Sequence, residues 1–350
     1  MSNTITPKQR MLDLIAGRSI DIRPIQLDFS PLMLSKMYAH FGIPPGAEED
    51  LLPFIDNHFV YAFLNDPFGA QRRHTYTSDI LYDDWGIGWD MRQEGLFMVN
   101  HPLHDDMDLD HYRFPDPNRP GLLDNVQPLL EKYGKTHLVC SYQVTGLNER
   151  ASALRGYEEW MVDIAGDPEY AAELLDHIMD YQTRLAKNYI AAGVTCGRYG
   201  DDYGTQQGML MSPKCFRELF KPRLAKIFAL YKDAGLPLVY HSCGDIRPII
   251  GDLIEIGVDV LNNVQPEAMP RKELADNFGD RNLVFYGGIS TQQVLRTGTP
   301  MEIESEVRDC MATLGKRGRW IMSTGISITS DVDIERVDTL LQTINKLRYE

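Results

Sequence analysis

His241 and Cys243 stand one residue apart in the stretch Val239-Tyr240-His241-Ser242-Cys243-Gly244-Asp245. Imidazole and thiolate are both good ligands for a borderline-soft cation such as zinc, and this spacing lets the two share one ion. A catalytic zinc normally takes three ligands from the protein, and a buried cysteine beside a hydrogen-bonded histidine is the plainer meaning of the same residues. The apolar run Leu236-Pro237-Leu238 predicts a buried strand from Leu238 to His241, and Asp245 predicts the cap of a following helix. Both side chains then lie on one face at the strand's C-terminal end.

The chain around them has 350 residues, enough for one large α/β barrel or two ordinary domains. Hydrophobic residues make up 43% and charged residues 24%, the balance of a soluble globular protein. A net charge of -15, spread along the whole chain, argues against a general nucleic-acid or anionic-membrane partner but leaves room for a local basic pocket and a small-molecule substrate. The five cysteines are scattered without a CxxC pair, which points to a reducing compartment. The first ten residues show no signal-like apolar region, and no uncharged window approaches the roughly 18 residues of a membrane helix, so the expectation is a cytoplasmic protein.

Strand and helix signals alternate along the chain. Strands are predicted at Ile25–Phe29, His58–Phe63, Thr136–Tyr142, Gly197–Gly200, Leu238–His241, Val258–Asn263, Leu283–Gly288 and Trp320–Ser323. Helices starting at Thr6-Pro7, Ser30-Pro31 and Ser212-Pro213, and others between the later strands, fill the intervals. Residues 66–120, dense in aromatics, prolines, glycines and acids, predict an elaborated excursion with a hairpin that covers one end of the fold; its His101 to Asp106 run reads as a polar turn.

Eight such units predict a distorted (β/α)8 barrel over residues 1–350 as one domain. Barrel chemistry sits at the strands' C-terminal ends, and the polar residues there are Asp28, Tyr142, Gln143, Asp201, Asp202, His241, Cys243, Asn263, Gln265 and Ser323. Any one of them could equally be a hydrogen-bonded loop anchor.

Six segments taken together carry a resemblance. Gly200-Asp201-Asp202-Tyr203-Gly204-Thr205-Gln206-Gln207-Gly208, Ser212-Pro213, Phe220-Lys221-Pro222-Arg223, His241-Ser242-Cys243-Gly244, Val264-Gln265-Pro266-Glu267 and Tyr286-Gly287-Gly288-Ile289 resemble the uroporphyrinogen decarboxylase superfamily. The likeness is nearer to its decarboxylase-like and corrinoid-dependent methyltransferase branch, and it runs from about residue 136 to the C-terminus. It implies the same distorted barrel. Tyr142, in Val139-Cys140-Ser141-Tyr142-Gln143, is similar to the decarboxylases' strand-end tyrosine, and Asn65 or Asp66 stands where their aspartate is expected. Their arginine-rich stretch after the first strand is replaced by Asp28-Phe29-Ser30-Pro31, and their C-terminal Gly-His-Gly by Ser323-Thr324-Gly325. Haem-pathway decarboxylation is therefore not expected.

The methyltransferases' zinc pair matches His241 and Cys243, whereas the third ligand position is Ile326. Cys310 lies in a predicted helix away from the strand ends, which leaves Asp201 or Asp202 to complete the sphere. The resemblance then implies methyl transfer to or from a corrinoid carried by a partner protein, with Asp201, Asp202 and Tyr142 at the leaving group. The alternatives are decarboxylation of a small acid, with Asp28 or Asp202 as proton donor and Arg150 or Arg155 holding the carboxylate, and a non-catalytic binding protein. A homodimer is a further expectation from the resemblance.

Overall fold

The protein, seen here in a computed structural model, is described over residues 5–44, 51–66, 79–92, 94–95 and 97–350. Its strands in chain order are β1 (Phe59–Ala62), β2 (Ile80–Tyr82), β3 (Gly88–Asp90), β4 (Phe97–Asn100), β5 (Leu138–Ser141), β6 (Gly197–Gly200), β7 (Leu238–His241), β8 (Val260–Val264), β9 (Val284–Ile289) and β10 (Trp320–Thr324). β1 pairs in parallel with β5, and β6 to β10 form a parallel sheet in sequence order. Isolated bridges join the two: Cys140 to Cys196, Gln143 to Tyr199, and Ile25 to both Asn57 and Met322. The segment around Ile25, β1, and β5 to β10 are thus the staves of a (β/α)8 barrel.

The first stave departs from the regular strand that its sequence predicts, holding single bridges at Ile25 and Phe29. Asn57 is the reason. Its side chain accepts from Leu27 N–H at 2.8 Å and donates to Leu27 C=O at 2.9 Å, so an amide does the work of a neighbouring strand's backbone.

Alternation along the strands decides what fills the barrel. Its lower layer is apolar, built from Phe59, Leu138, Cys196, Val239, Val260, Val284 and Ile321. Met11 and Leu14 of the opening helix Pro7–Ile15 pack into the same cluster and plug that end. Two residues further along the strands, the inward position carries Tyr61, Arg198, His241, Asn262, Tyr286 and Ser323. The barrel is therefore greasy at its N-terminal end and polar towards its C-terminal mouth.

Helix starts follow one device, Ser or Thr followed by Pro: Thr6, Ser30, Ser212 and Thr299 each accept a backbone N–H three residues on, and the proline spares a donor that would have no partner. The excursion holds the antiparallel sheet β2-β3-β4, although its residues 67–78, 93 and 96 lie outside the described residues. Asp83 organises it, accepting from the backbone N–H of Trp85 and Ile87 and from Trp89 Nε1. The helix Leu147–Arg155 that meets it is almost wholly buried, and its polar sequence gives no amphipathic signal.

Candidate active site

At the C-terminal end of β7, His241 Nε2 lies 3.6 Å from Cys243 Sγ and 3.8 Å from Asp202 Oδ1. Ligand atoms of these three residues all fall within 4.8 Å of one another, the one such trio of potential ligands among the described residues. His241 Nδ1 donates to Asn262 Oδ1 at 2.7 Å, and since that oxygen only accepts, Nε2 is left with its lone pair facing the cysteine and the aspartate. Burial lowers the pKa of His241, against the pull of Asp202, and so favours the neutral ring a metal needs. Burial also raises the Cys243 thiol well above its ordinary range, so its thiolate needs a cation for company. One nitrogen, one sulfur and one carboxylate oxygen, with the histidine oriented from behind by an amide, fit a zinc ion.

Two loops must touch for the trio to form. Asp202 Oδ1 accepts the Cys243 N–H at 2.8 Å, and Asp245 N–H donates to Thr205 C=O at 2.7 Å. Between these bonds the chain crosses itself at Gly204 and Gly244: a Cβ on Gly244, whose φ is +78°, would stand 2.2 Å from the Gly204 carbonyl carbon. Gly244→Ala is expected to cost roughly 3 kcal/mol from left-handed strain and overpacking. It should also part Asp202 from Cys243. A urea midpoint within error of wild type would show that the crossing yields freely.

Below the trio is a small pocket of about 40 Å³, lined by Asp28, Arg198, His241, Asn262, Asn263, Ser323 and Ile326 among others. Tyr286 donates to Asp28 Oδ2 at 2.9 Å, and its hydroxyl is 3.1 Å from that of Tyr61. Tyr142 packs on Phe63 and Tyr61 beside the Arg198 guanidinium. Asn263 Nδ2 reaches towards Cys243 Sγ at 3.9 Å while its Oδ1 is buried without a partner. Ile326, at the position where the resemblance places a third metal ligand, lines the same pocket and offers no donor atom.

Other expected site residues face elsewhere. Asp201 is fully buried and accepts the backbone N–H of Leu147, Asn148 and Glu149 and the Tyr203 hydroxyl, so it caps a helix across the fold. Burial raises its pKa against those four bonds. Gln143 is held among Gln182 and Tyr231. Arg150 forms a buried ion pair with Asp83 at 3.0 Å, and Arg155 one with Asp163 at 2.6 Å. Gln265 Oε1 accepts Gly244 N–H at 3.3 Å and steadies the loop crossing. Asn65 is bonded to the backbone of Gly121 and Leu122, and neither it nor Asp66 lines this pocket. Arg198 is the residue that sequence reasoning passes over; a charged residue between Gly197 and Tyr199 in a buried strand was the available signal.

The family model described as uroporphyrinogen decarboxylase matches residues 76–347. The chain belongs to the uroporphyrinogen decarboxylase family. Two relatives that bear the name "uroporphyrinogen decarboxylase" come from Streptomyces: the Streptomyces coelicolor protein is 27% identical over 66% of this chain and 70% of its own length, and that of Streptomyces avermitilis is 24% identical over 75% of each. A solved methyltransferase from Methanosarcina mazei has the same fold, with a TM-score of 0.73 and 19% identity over 98% of this chain and 99% of its own. Within the uroporphyrinogen decarboxylase family, then, this chain keeps the barrel and its mouth. Its trio of ligand atoms sits on the loops after β6 and β7. Among the described residues no helix is long and apolar enough to cross a membrane.

Proposed function

We propose that this protein is an enzyme that moves a methyl group between a small substrate and a corrinoid carried by a partner protein, with zinc held by Asp202, His241 and Cys243. The observation that carries this reading is the trio itself, three ligand atoms of different chemistry within 4.8 Å of one another at a barrel mouth. When bound, zinc would supply a Lewis acid that polarises the substrate's ether oxygen or lowers the pKa of its thiol.

The protein's own residues do the rest. Asn262 fixes the His241 ring, and the charges of Asp202 and Cys243 offset those of a dication. The methyl group leaves its heteroatom without the bonding electrons, the heteroatom keeps the pair and takes up a proton, and the corrinoid accepts the methyl group with an electron pair of its own; the reverse direction runs the same balance backwards. Asp28, held by Tyr286, is the carboxylate on the pocket wall that can give or accept that proton. Tyr61, Tyr142 and Phe63 pack on one another, the two tyrosine rings against the guanidinium of the pocket residue Arg198.

Arg150 and Arg155, the carboxylate holders expected for decarboxylation of a small acid, are both committed to buried ion pairs and do not serve that role. Protein purified under reducing conditions should hold close to one equivalent of zinc and change the spectrum of methylated cobalamin when offered a thiol. No metal and no spectral change would sink the reading. Carbon dioxide release from a set of small carboxylates would replace it with the decarboxylase.

A further inference from the structure

Among the described residues, Arg198 is a buried cation without an ion-pair partner. It is 5% exposed, and its Nε and Nη1 are buried with no hydrogen-bond partner. The guanidinium lies between the rings of Tyr61 and Tyr142, 4.8 and 4.7 Å from their centroids. Two cation–π contacts offset part of the cost of burying a charge, but they leave its Nε and Nη1 unmet. Such a group is kept where something supplies the missing acceptors.

Its position says what. Gly200 pairs with His241 across β6 and β7, and Arg198 pairs with Val239, so Arg198 lies on the same inward face as the histidine, one residue pair nearer the start of the strands. Gly200, next on that inward face, adds no side chain above it. Arg198 and His241 line one pocket with Asp28, whose carboxylate attracts the guanidinium across it without forming an ion pair. A planar guanidinium with open donors matches a carboxylate. The charge of Asp28 and the pocket's small volume disfavour a dianion such as phosphate.

We propose that Arg198 binds the carboxylate of a small monoanionic substrate whose other end reaches the cluster of Asp202, His241 and Cys243. This deepens the reading above by naming the substrate class, and it rests on that reading only for the reaction at the far end.

The test is binding, which needs no turnover. Acetate, glycolate and methoxyacetate, each beside its neutral amide, and inorganic phosphate are titrated into the protein while Tm is followed. At least one carboxylate should bind at least about tenfold more tightly than its amide, and Arg198→Met should abolish that difference. Because Arg198→Met removes an unpaired buried charge, the Tm of the ligand-free variant should hold or rise, whereas a structural arginine would lower it. The preference of acetate over acetamide should be the same with and without a chelator, because so short an acid does not need the cluster, so failure of the metal reading leaves this result standing. Amides binding as well as acids, phosphate binding better than every carboxylate, or Arg198→Met keeping the preference would each overturn the proposal. Should Arg198→Met fail to fold, the acid-to-amide comparison on wild type and on Arg198→Lys decides it: the preference must be present in the first and weaker in the second.

Discussion

Cys243→Ser is expected to lower zinc affinity by about two to four powers of ten. Zinc sites with a full ligand set bind with an apparent free energy of roughly 10–16 kcal/mol, and removing one of three or four ligands forfeits roughly 3–5 kcal/mol of it, at 1.4 kcal/mol per factor of ten. Asn262→Ala should cost less, about 10- to 100-fold, because it frees the His241 ring without removing a ligand. Cys310→Ser is the control: that thiol sits on the helix Pro300–Ala312, against Gly288 C=O and Arg271. Elemental analysis after dialysis against a chelator reads all three. Equal metal content in wild type and Cys243→Ser would remove the trio as the binding site and, with it, the support for methyl transfer at this mouth.

Asp201→Ala should show the largest loss of stability, roughly 4 kcal/mol or more in the free energy of unfolding. Three of the four donors that Asp201 accepts are the first backbone N–H groups of the helix Leu147–Arg155. That helix begins at Gly146, which has no side chain to cap it, and a Cβ there would strike the Tyr199 ring at 2.6 Å and Asp201 Cβ at 2.7 Å. A carboxylate 54 residues further along the chain therefore stands in for the cap, and its charge suits the helix N-terminus. Deleting it leaves the buried N–H groups of Leu147 and Asn148, the half-buried one of Glu149 and the Tyr203 hydroxyl unmet. Urea unfolding followed by circular dichroism measures the loss; a change below about 1 kcal/mol would mean that water replaces the carboxylate at little cost. Asp202→Asn should give the opposite pattern, with metal affinity falling while the unfolding midpoint barely moves.

These two neighbours show where reading the sequence runs out. The strand and helix periods, the Ser-Pro and Thr-Pro starts and the six family segments are local properties, and local rules carry them into the observed barrel. The same rules place His241 and Cys243 on one face at a strand end, because side-chain alternation needs no tertiary information. The first stave escapes them, since on one side its Leu27 N–H and C=O bond to the side chain of Asn57, thirty residues away, in place of a strand's backbone. Asp201 and Asp202 look alike in sequence, and at the strand's end their carboxylates part: one turns to the helix Leu147–Arg155, the other to the Cys243 N–H.

The arginines make the same point. Arg150 and Arg155 looked free to hold a substrate, yet Arg150 is taken by Asp83, 67 residues earlier, and Arg155 by Asp163 and the backbone of Leu103. Arg198 looked like one more strand residue and is, among the described residues, a buried guanidinium with no ion-pair partner. Whether a charge is paired depends on what the fold brings within a few ångströms of it, from 67 residues away for Arg150 and from eight for Arg155. The sequence by itself determined the barrel, the family and the His-Cys pair. Only the tertiary structure decided which aspartate joins that pair and which arginine faces the pocket.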